Sequence, residues 1–269
     1  MTVLILILLL LLLLAVGGRR NHPGLSQLRG WSYAHRGLHG PGVPENSMAA
    51  FRAALEAGYG VELDIHLTRD GGLAVIHDAS LARTAGVDRK IGDLTMEQLK
   101  DFSLEGTAET IPDFRQVLAL FAGKAPLIIE LKADGGNWRE LTDAAVAAMA
   151  GYEGPWCMES FDPRCVWRLR TAHPQVIRGQ LTENFLGGKS RMHWVLKFLL
   201  THNLLNFLTR PDFVAYCFAH RKASPTNLIW QKLWKVQGVA WTLRSREAYD
   251  RAVAEGWLPI FEGFRPEKP

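Results

Sequence analysis

Cysteine is scarce. Cys157, Cys165 and Cys217 are the only three in 269 residues. An odd number without metal-ligand spacing excludes a disulfide framework, fits a reducing compartment, and leaves the thiols as buried small apolar groups. A strong charge of one sign is also missing. The balance of 31 basic against 27 acidic side chains is too even to argue for nucleic acid, and no such partner is expected. With 48% apolar residues, the chain can fill a complete core, which excludes disorder as its default state.

The opening run, "MTVLILILLLLLLLAV", has no charged side chain, and "GGRRN" follows it. It is slightly short of the about 20 residues that span a bilayer. Gly17, Gly18 and local thinning of the bilayer make up the difference, so residues 1–18 are expected to form a single-pass N-terminal transmembrane anchor. A secretory signal carries its positive charge before the apolar run, whereas Arg19 and Arg20 come after it. That order places the rest of the chain in the cytoplasm. Residues 19–30 read as a linker and 31–269 as one domain.

Strand-like and helix-like segments then alternate. Candidate strands run over 31–35, 60–67, 127–131, 156–159, 176–179, 213–216, 238–242 and 258–261. Helix patterns lie between them, as in "NSMAAFRAALEAG", where Met48, Phe51, Ala54 and Leu55 share a face and Gly58 supplies the stop. Residues 137–150, 162–171, 226–235 and 245–255 read the same way. Eight strands with crossover helices predict an α/β fold, a (β/α)8 TIM barrel.

Unusual residues cluster where the strands end, which is where barrels carry chemistry. His35 and Arg36 close the first strand. Glu62 and Asp64 alternate on the second, and Glu130 and Lys132 on the next, so each pair shares a face. Carboxylates aimed into an apolar barrel need a cation. Three carboxylates against one lysine leave the site net negative, and a divalent metal satisfies it best.

Two stretches interrupt the pattern. "RDGGLAVIHDASLART" reads as a hairpin returning His77 and Asp78 toward the same rim. Residues 182–211 form an expected helical insertion before the sixth strand. Between Asn184 and Arg246 stand ten Lys or Arg residues and one acid, Asp212. Basic charge among leucine, phenylalanine and tryptophan suits either a membrane surface or a cap helix with a solvated basic face.

With "AHRGLHGPGVPENSMAAF", "VELDIHLTRDGGLAVIHD", "IPDFRQVL", "LIIELK" and "VAWTLRS" present in that order, the chain resembles the glycerophosphodiester phosphodiesterase family from Tyr33 to Arg265. The resemblance implies a (β/α)8 barrel that hydrolyses glycerophosphodiesters to sn-glycerol 3-phosphate and an alcohol, generally with a divalent metal, here Mg2+ or Ca2+. It implies His35 and His77 as the acid/base pair and Glu62, Asp64 and Glu130 as metal ligands. Arg36 and Lys132 match phosphate contacts, Trp241 an aromatic of the substrate pocket, and Glu45 the supporting carboxylate of Pro-Glu-Asn. Serine follows the asparagine here where threonine is usual, a small loss if its hydroxyl caps the helix. The insertion and the ending "PIFEGFRPE" are less typical.

A metal would polarise the phosphoryl oxygens, the two cations would complete the clamp, and imidazoles suit the proton transfers at neutral pH. The nucleophile, water or the neighbouring glycerol hydroxyl, stays open, as does which histidine is the base. An anchor with a basic insertion suggests lysophospholipid substrates and a membrane partner as well. The alternatives are a catalytically silent barrel that binds headgroups or partners, which missing catalytic residues would signal, and an enzyme acting on another phosphodiester such as a phosphosphingolipid.

Overall fold

Residues 60–67 read Gly-Val-Glu-Leu-Asp-Ile-His-Leu, and period-two alternation sends Val61, Leu63 and Ile65 to one side and Glu62, Asp64 and His66 to the other. Both sides are buried, as a barrel wall requires. The computed structural model, which describes residues 2–20, 22–187 and 192–267, contains nine strands. They are β1 (Tyr33–His35), β2 (Gly60–Leu67), β3 (Leu73–Val75), β4 (Leu127–Leu131), β5 (Trp156–Ser160), β6 (Arg178–Thr182), β7 (Phe213–Cys217), β8 (Gln237–Leu243) and β9 (Leu258–Phe261). All but β3 are parallel, and β1 pairs with both β2 and β9, closing an eight-stranded barrel. The antiparallel β3 pairs Val75 with Ile65 of β2, forming the expected hairpin. β6 begins at Arg178, later than the expected residue 176, because Val176 closes the turn after the preceding helix with an N–H bond to the His173 carbonyl.

The helices are α1 (Thr2–Ala15), α2 (Met48–Glu56), α3 (Ala82–Ala85), α4 (Met96–Leu99), α5 (Phe114–Phe121), α6 (Trp138–Ala148), α7 (Pro163–Ala172), α8 (Trp194–Thr201), α9 (Asn206–Thr209), α10 (Thr226–Leu228) and α11 (Arg246–Ala254). Hydroxyl and carboxylate caps start several of them. Ser47 accepts from the Ala50 N–H, and Asp162 accepts from Arg164 ahead of Pro163. The expected helix over 226–235 is instead α10 followed by a π-helical turn, Ile229–Leu233. The wider turn accompanies complete burial of Trp230, whose indole donates to Asn227 Oδ1 and packs edge-on to Trp257.

Outward residues of the strands pack under the helices, Val61, Leu63 and Ile65 joining Phe51, Phe114 and Phe121. Inward ones, among them Tyr33, Ile128, Cys157 and Phe213, form a second core with Leu25 and Leu28 of the 3-10 turn Pro23–Leu28. Gly179 is required there, because a Cβ would sit 2.1 Å from the Phe213 ring.

The N-terminal anchor is overturned. α1 has 14 residues, about 21 Å of helix, against a hydrocarbon core about 30 Å thick. Among the described residues no helix is long and apolar enough to cross a membrane. Val16, Gly17 and Gly18, expected to lengthen the span, are buried against the barrel, where Cβ atoms on the glycines would strike Arg210, Trp234, Pro211 and Val236. Arg19 is not a free flanking charge either, since it pairs with Asp212 at 2.5 Å and donates to the Pro174 and Val176 carbonyls. The inference of a cytoplasmic catalytic domain, which rested on a span, falls with it.

Of the stretch 182–211, the described part holds a 3-10 turn, Phe185–Gly187, then α8 and α9. Residues 188–191 of this stretch lie outside the described residues, as do Met1 of the anchor, Asn21 of the linker and the last two residues of the domain.

Candidate active site

The loop after β1 is built around unusual backbone. Arg36 and Asn46 both adopt the left-handed conformation, with φ of 55° and 54°, which non-glycine residues rarely hold without support. The support is visible. The Arg36 N–H donates to Glu62 Oε2 at 3.2 Å, its carbonyl accepts from the Asn46 N–H at 2.9 Å, and Asn46 Nδ2 donates to Asp64 Oδ2 at 2.8 Å. Gly37 follows with φ 82°, where a Cβ would lie 2.8 Å from Ala50. The loop is thereby fastened to both acids of β2.

Glu62, Asp64 and Glu130 each offer a carboxylate oxygen, all within 4.8 Å of one another, and all three residues are buried. Lys132 Nζ lies 2.7 Å from Glu130 and 3.0 Å from Asp64, and Arg36 Nε lies 3.4 Å from Asp64. Burial, with the charges of Asp64, Glu130 and Glu159, pushes Glu62 well up. Burial also outweighs Lys132 at Glu130, which is pushed up to about 7. At Asp64 burial loses to Lys132, His77 and Arg36, and the carboxyl falls far below its usual range. Two acids that resist ionisation beside a third that is ionised fit a cation-binding site, and an all-oxygen donor set suits Mg2+ or Ca2+. Mixed clusters at His35, His39 and Glu262 and at Glu183, Cys217 and His220 also bring donors together. The first is already committed, because Glu262 holds both His35 and Arg244.

Both histidines lie on the same cavity as Glu62 and Glu130. The deep cavity is lined by His35, Arg36, Glu62, His77, Glu130, Lys132 and Trp241, with Glu159, Phe161, Leu181 and Ile260. An outer cleft of about 620 Å³ shares His77, Glu130, Lys132 and Phe161 with it. Nδ1 of His35 donates to Glu262 Oε2, and Arg244 Nε holds that carboxylate at 2.9 Å. Nδ1 of His77 donates to Asp78 Oδ1 at 2.6 Å, and Arg83 Nε holds Asp78 at 2.6 Å. Each ring therefore carries its proton on Nδ1 and keeps Nε2 for chemistry. Burial lowers both imidazoles, more than Glu262 raises His35 or Asp64 raises His77, so both are neutral at pH 7. Arg83 also donates to Glu45 at 2.6 Å, and Glu45 accepts from Arg36 at 2.9 Å. Glu45 thus serves the two arginines and reaches neither the cavity nor the carboxylate cluster.

All nine residues expected from the sequence occupy this end of the barrel, seven on the deep cavity, Asp64 in the carboxylate cluster and Glu45 behind it. Glu262, Arg244, Arg83, Asn46 and Glu159 were not singled out. His66, which continues the alternation of Glu62 and Asp64 on β2, donates from Nε2 to the His77 carbonyl at 3.0 Å and so fixes the loop after β3. A signal for Glu159 was present in its alternation with Cys157 and Phe161. Glu262 directly follows the last strand, and His35 ends the first.

The chain matches the model of the Glycerophosphoryl diester phosphodiesterase family over residues 35–261. It is 41% identical over 114 residues to a glycerophosphodiester phosphodiesterase of Bacillus altitudinis, a match covering 40% of this chain and 46% of that protein. A lysophospholipase D GDPD1 of Rattus norvegicus is 34% identical over 114 residues, covering 38% and 36%. The chain thus aligns with less than half the length of these relatives. Among solved structures, an Oleispira antarctica phosphodiesterase in complex with the product sn-glycerol-3-phosphate superposes with a TM-score of 0.71 at 22% identity over 89% of this chain and 94% of that one. A Silicibacter pomeroyi structure gives 0.74 at 22% identity over 90% and 94%. At that identity the likeness is one of fold.

Proposed function

The chain belongs to the glycerophosphoryl diester phosphodiesterase family, and from that premise we propose that it hydrolyses glycerophosphodiesters to sn-glycerol 3-phosphate and an alcohol with a divalent metal ion. One observation carries the reading: two imidazoles, each with a carboxylate on Nδ1, line one cavity with Glu62 and Glu130 of a cluster of three buried carboxylates.

Glu62, Asp64 and Glu130 would hold the ion, which when bound polarises the phosphoryl group and offsets its charge. Arg36 and Lys132 flank the same carboxylates and present cations to the phosphate. His77 lines the outer cleft as well as the deep cavity, so the leaving alcohol departs past it; the neutral ring takes a second proton at Nε2 from solvent in that cleft, and the imidazolium, held on Asp78 through Nδ1, delivers the Nε2 proton to the leaving oxygen. His35 lines the deep cavity alone, and its Nε2 takes the proton of the nucleophile. Glu262 keeps the His35 proton on Nδ1 and so leaves Nε2 free as the base, while Asp78 stabilises the His77 imidazolium that acts as the acid.

Lysophospholipids are proposed as a second substrate class. The relative named lysophospholipase D supports them, as does the outer cleft, which shows Ala79, Ala82, Leu131 and Phe161 to an emerging chain.

The test is release of glycerol 3-phosphate from glycerophosphocholine, glycerophosphoethanolamine and lysophosphatidylcholine, with and without EDTA, beside His35→Ala. Turnover that needs metal and disappears in the variant is expected. A folded protein inactive on every diester would return the weight to a silent, headgroup-binding barrel.

A further inference from the structure

Glu159 has no role in the chemistry above, yet it is one of the most enclosed carboxyls in the protein. It sits on β5, 1% exposed, and its Oε2 has no hydrogen-bond partner. Its neighbour in register on β4 is another acid, Glu130, and the nearby cation, Lys132, is already shared between Asp64 and Glu130. Burial and the Glu130 charge accordingly raise its carboxyl well above the usual range. A barrel interior ordinarily takes an apolar side chain at such a position, and a buried polar atom is ordinarily bonded. Nor is Glu159 a fourth member of the metal cluster, whose mutual 4.8 Å grouping contains only Glu62, Asp64 and Glu130.

The cavity wall supplies a second unbonded polar atom. Trp241 Nε1 is buried without an acceptor, and the Trp241 ring stands edge-on to Phe161 at 5.6 Å. Phe161, Leu181 and Ile260 complete this end of the cavity. An acceptor and a donor set among apolar side chains match a short carbon chain that bears a hydroxyl, since a hydroxyl can donate to one and accept from the other.

We propose that Glu159 and the Trp241 indole N–H together bind the terminal hydroxyl of the substrate's glycerol moiety, making Glu159 a specificity-determining residue. The inference rests on the glycerophosphodiester reading and deepens it. The phosphate lies against Arg36, Lys132 and the carboxylate cluster, the leaving alcohol occupies the outer cleft, and the glycerol end points at Glu159. A site built to bond a hydroxyl rejects an analogue that lacks it, because its own polar groups are then left unpaired.

The experiment compares glycerophosphocholine with 2-hydroxypropyl phosphocholine, which keeps the leaving group and the hydroxyl next to the phosphate but lacks the terminal one. The wild-type protein should favour glycerophosphocholine in kcat/KM by roughly 100-fold. Glu159→Leu should reduce that preference to within about threefold, by losing rate on glycerophosphocholine alone, and Trp241→Phe should lose about tenfold. Glu159→Gln, of nearly the same shape, guards against misfolding and should show a reduced preference with unchanged metal affinity by calorimetry. Equal losses on both substrates, no wild-type preference, or a weakened metal affinity would each overturn the assignment while leaving the phosphodiesterase reading in place. A wild-type protein that cleaves other diesters and neither of these would instead sink that reading.

Discussion

Asp78 Oδ1 stands 2.6 Å from Nδ1 of His77, and across the deep cavity Glu262 engages Nδ1 of His35 in the same manner. An arginine backs each carboxylate, Arg83 for Asp78 and Arg244 for Glu262. The barrel therefore carries two carboxylate-imidazole pairs oriented independently, as a reaction with one proton taken and one delivered requires.

Replacing Asp78 by Asn leaves the ring in place but removes the negative charge that stabilises its imidazolium and, because the amide can present N–H as well as C=O to Nδ1, no longer fixes its tautomer. We expect kcat on glycerophosphocholine to fall by roughly 100-fold with KM within about threefold. Arg83→Gln should cost about tenfold, since Arg83 reaches His77 only through Asp78. Steady-state kinetics on the two variants suffices, and a wild-type kcat in Asp78→Asn would exclude this pairing from the mechanism.

The second pair leaves a mark on stability. Burial raises the Glu262 carboxyl, but the bonds from His35 and Arg244 outweigh it and bring it down to about 2. A depressed folded-state pKa means that the contribution is complete above the unfolded value near 4.5 and disappears as the pH falls from there toward 2. Solvent screening holds its size to about 1 kcal/mol. Urea unfolding at pH 6 and pH 3 should therefore show the wild type losing more than Glu262→Gln across that interval, by somewhat under about 1 kcal/mol. Equal losses would mean that the carboxylate is as well solvated in the native state as in the unfolded chain.

Without a cation, burial holds Glu130 at about 7 and keeps Glu62 well above the usual carboxyl range. A divalent ion must displace the protons these acids hold, so Mg2+ or Ca2+ affinity should rise with pH through about 7. Calorimetry in two buffers of different ionisation enthalpy should register proton release on binding. The same ion should raise Tm in the wild type and leave Tm unchanged in Asp64→Asn. Binding without proton release would contradict the raised carboxyls, and a Tm shift surviving in Asp64→Asn would move the ion elsewhere.

The sequence displayed the barrel and the heart of this site because alternation is a local property. Glu62 with Asp64, and Glu130 with Lys132, show their shared faces within three residues, and a strand ending in His35-Arg36-Gly announces a rim. Glu262 meets His35 across 227 positions, and only closure of β1 on β9 brings them together. Glu159 was within reach of the same alternation, but its environment, an acid beside Glu130 with no cation of its own, exists only in the assembled barrel. The membrane span failed for a related reason. Hydropathy registers "LLLLLAVGG" as one apolar run, whereas the fold divides it at Ala15 and buries Val16 to Gly18 against residues about 190 positions or more away.

That division predicts a stability effect where the sequence suggested a linker. Asp212 is fully buried and receives both Nε and Nη2 of Arg19, at 2.6 and 2.5 Å, together with the Arg178 N–H. Arg19→Ala would leave a buried carboxylate with only that N–H, a loss of about 3 kcal/mol for a broken buried pair. Arg20, which lies exposed over the Trp234 ring at 4.9 Å, should cost under about 1 kcal/mol when changed to Ala. Replacing Arg19 and Asp212 together by apolar residues should recover much of the loss, because the penalty lies in the unpaired charge. Denaturant unfolding of the three variants separates the cases. If Arg19→Ala were as mild as Arg20→Ala, residues 16–20 would be a tether lying on the barrel rather than part of its closed N-terminal face.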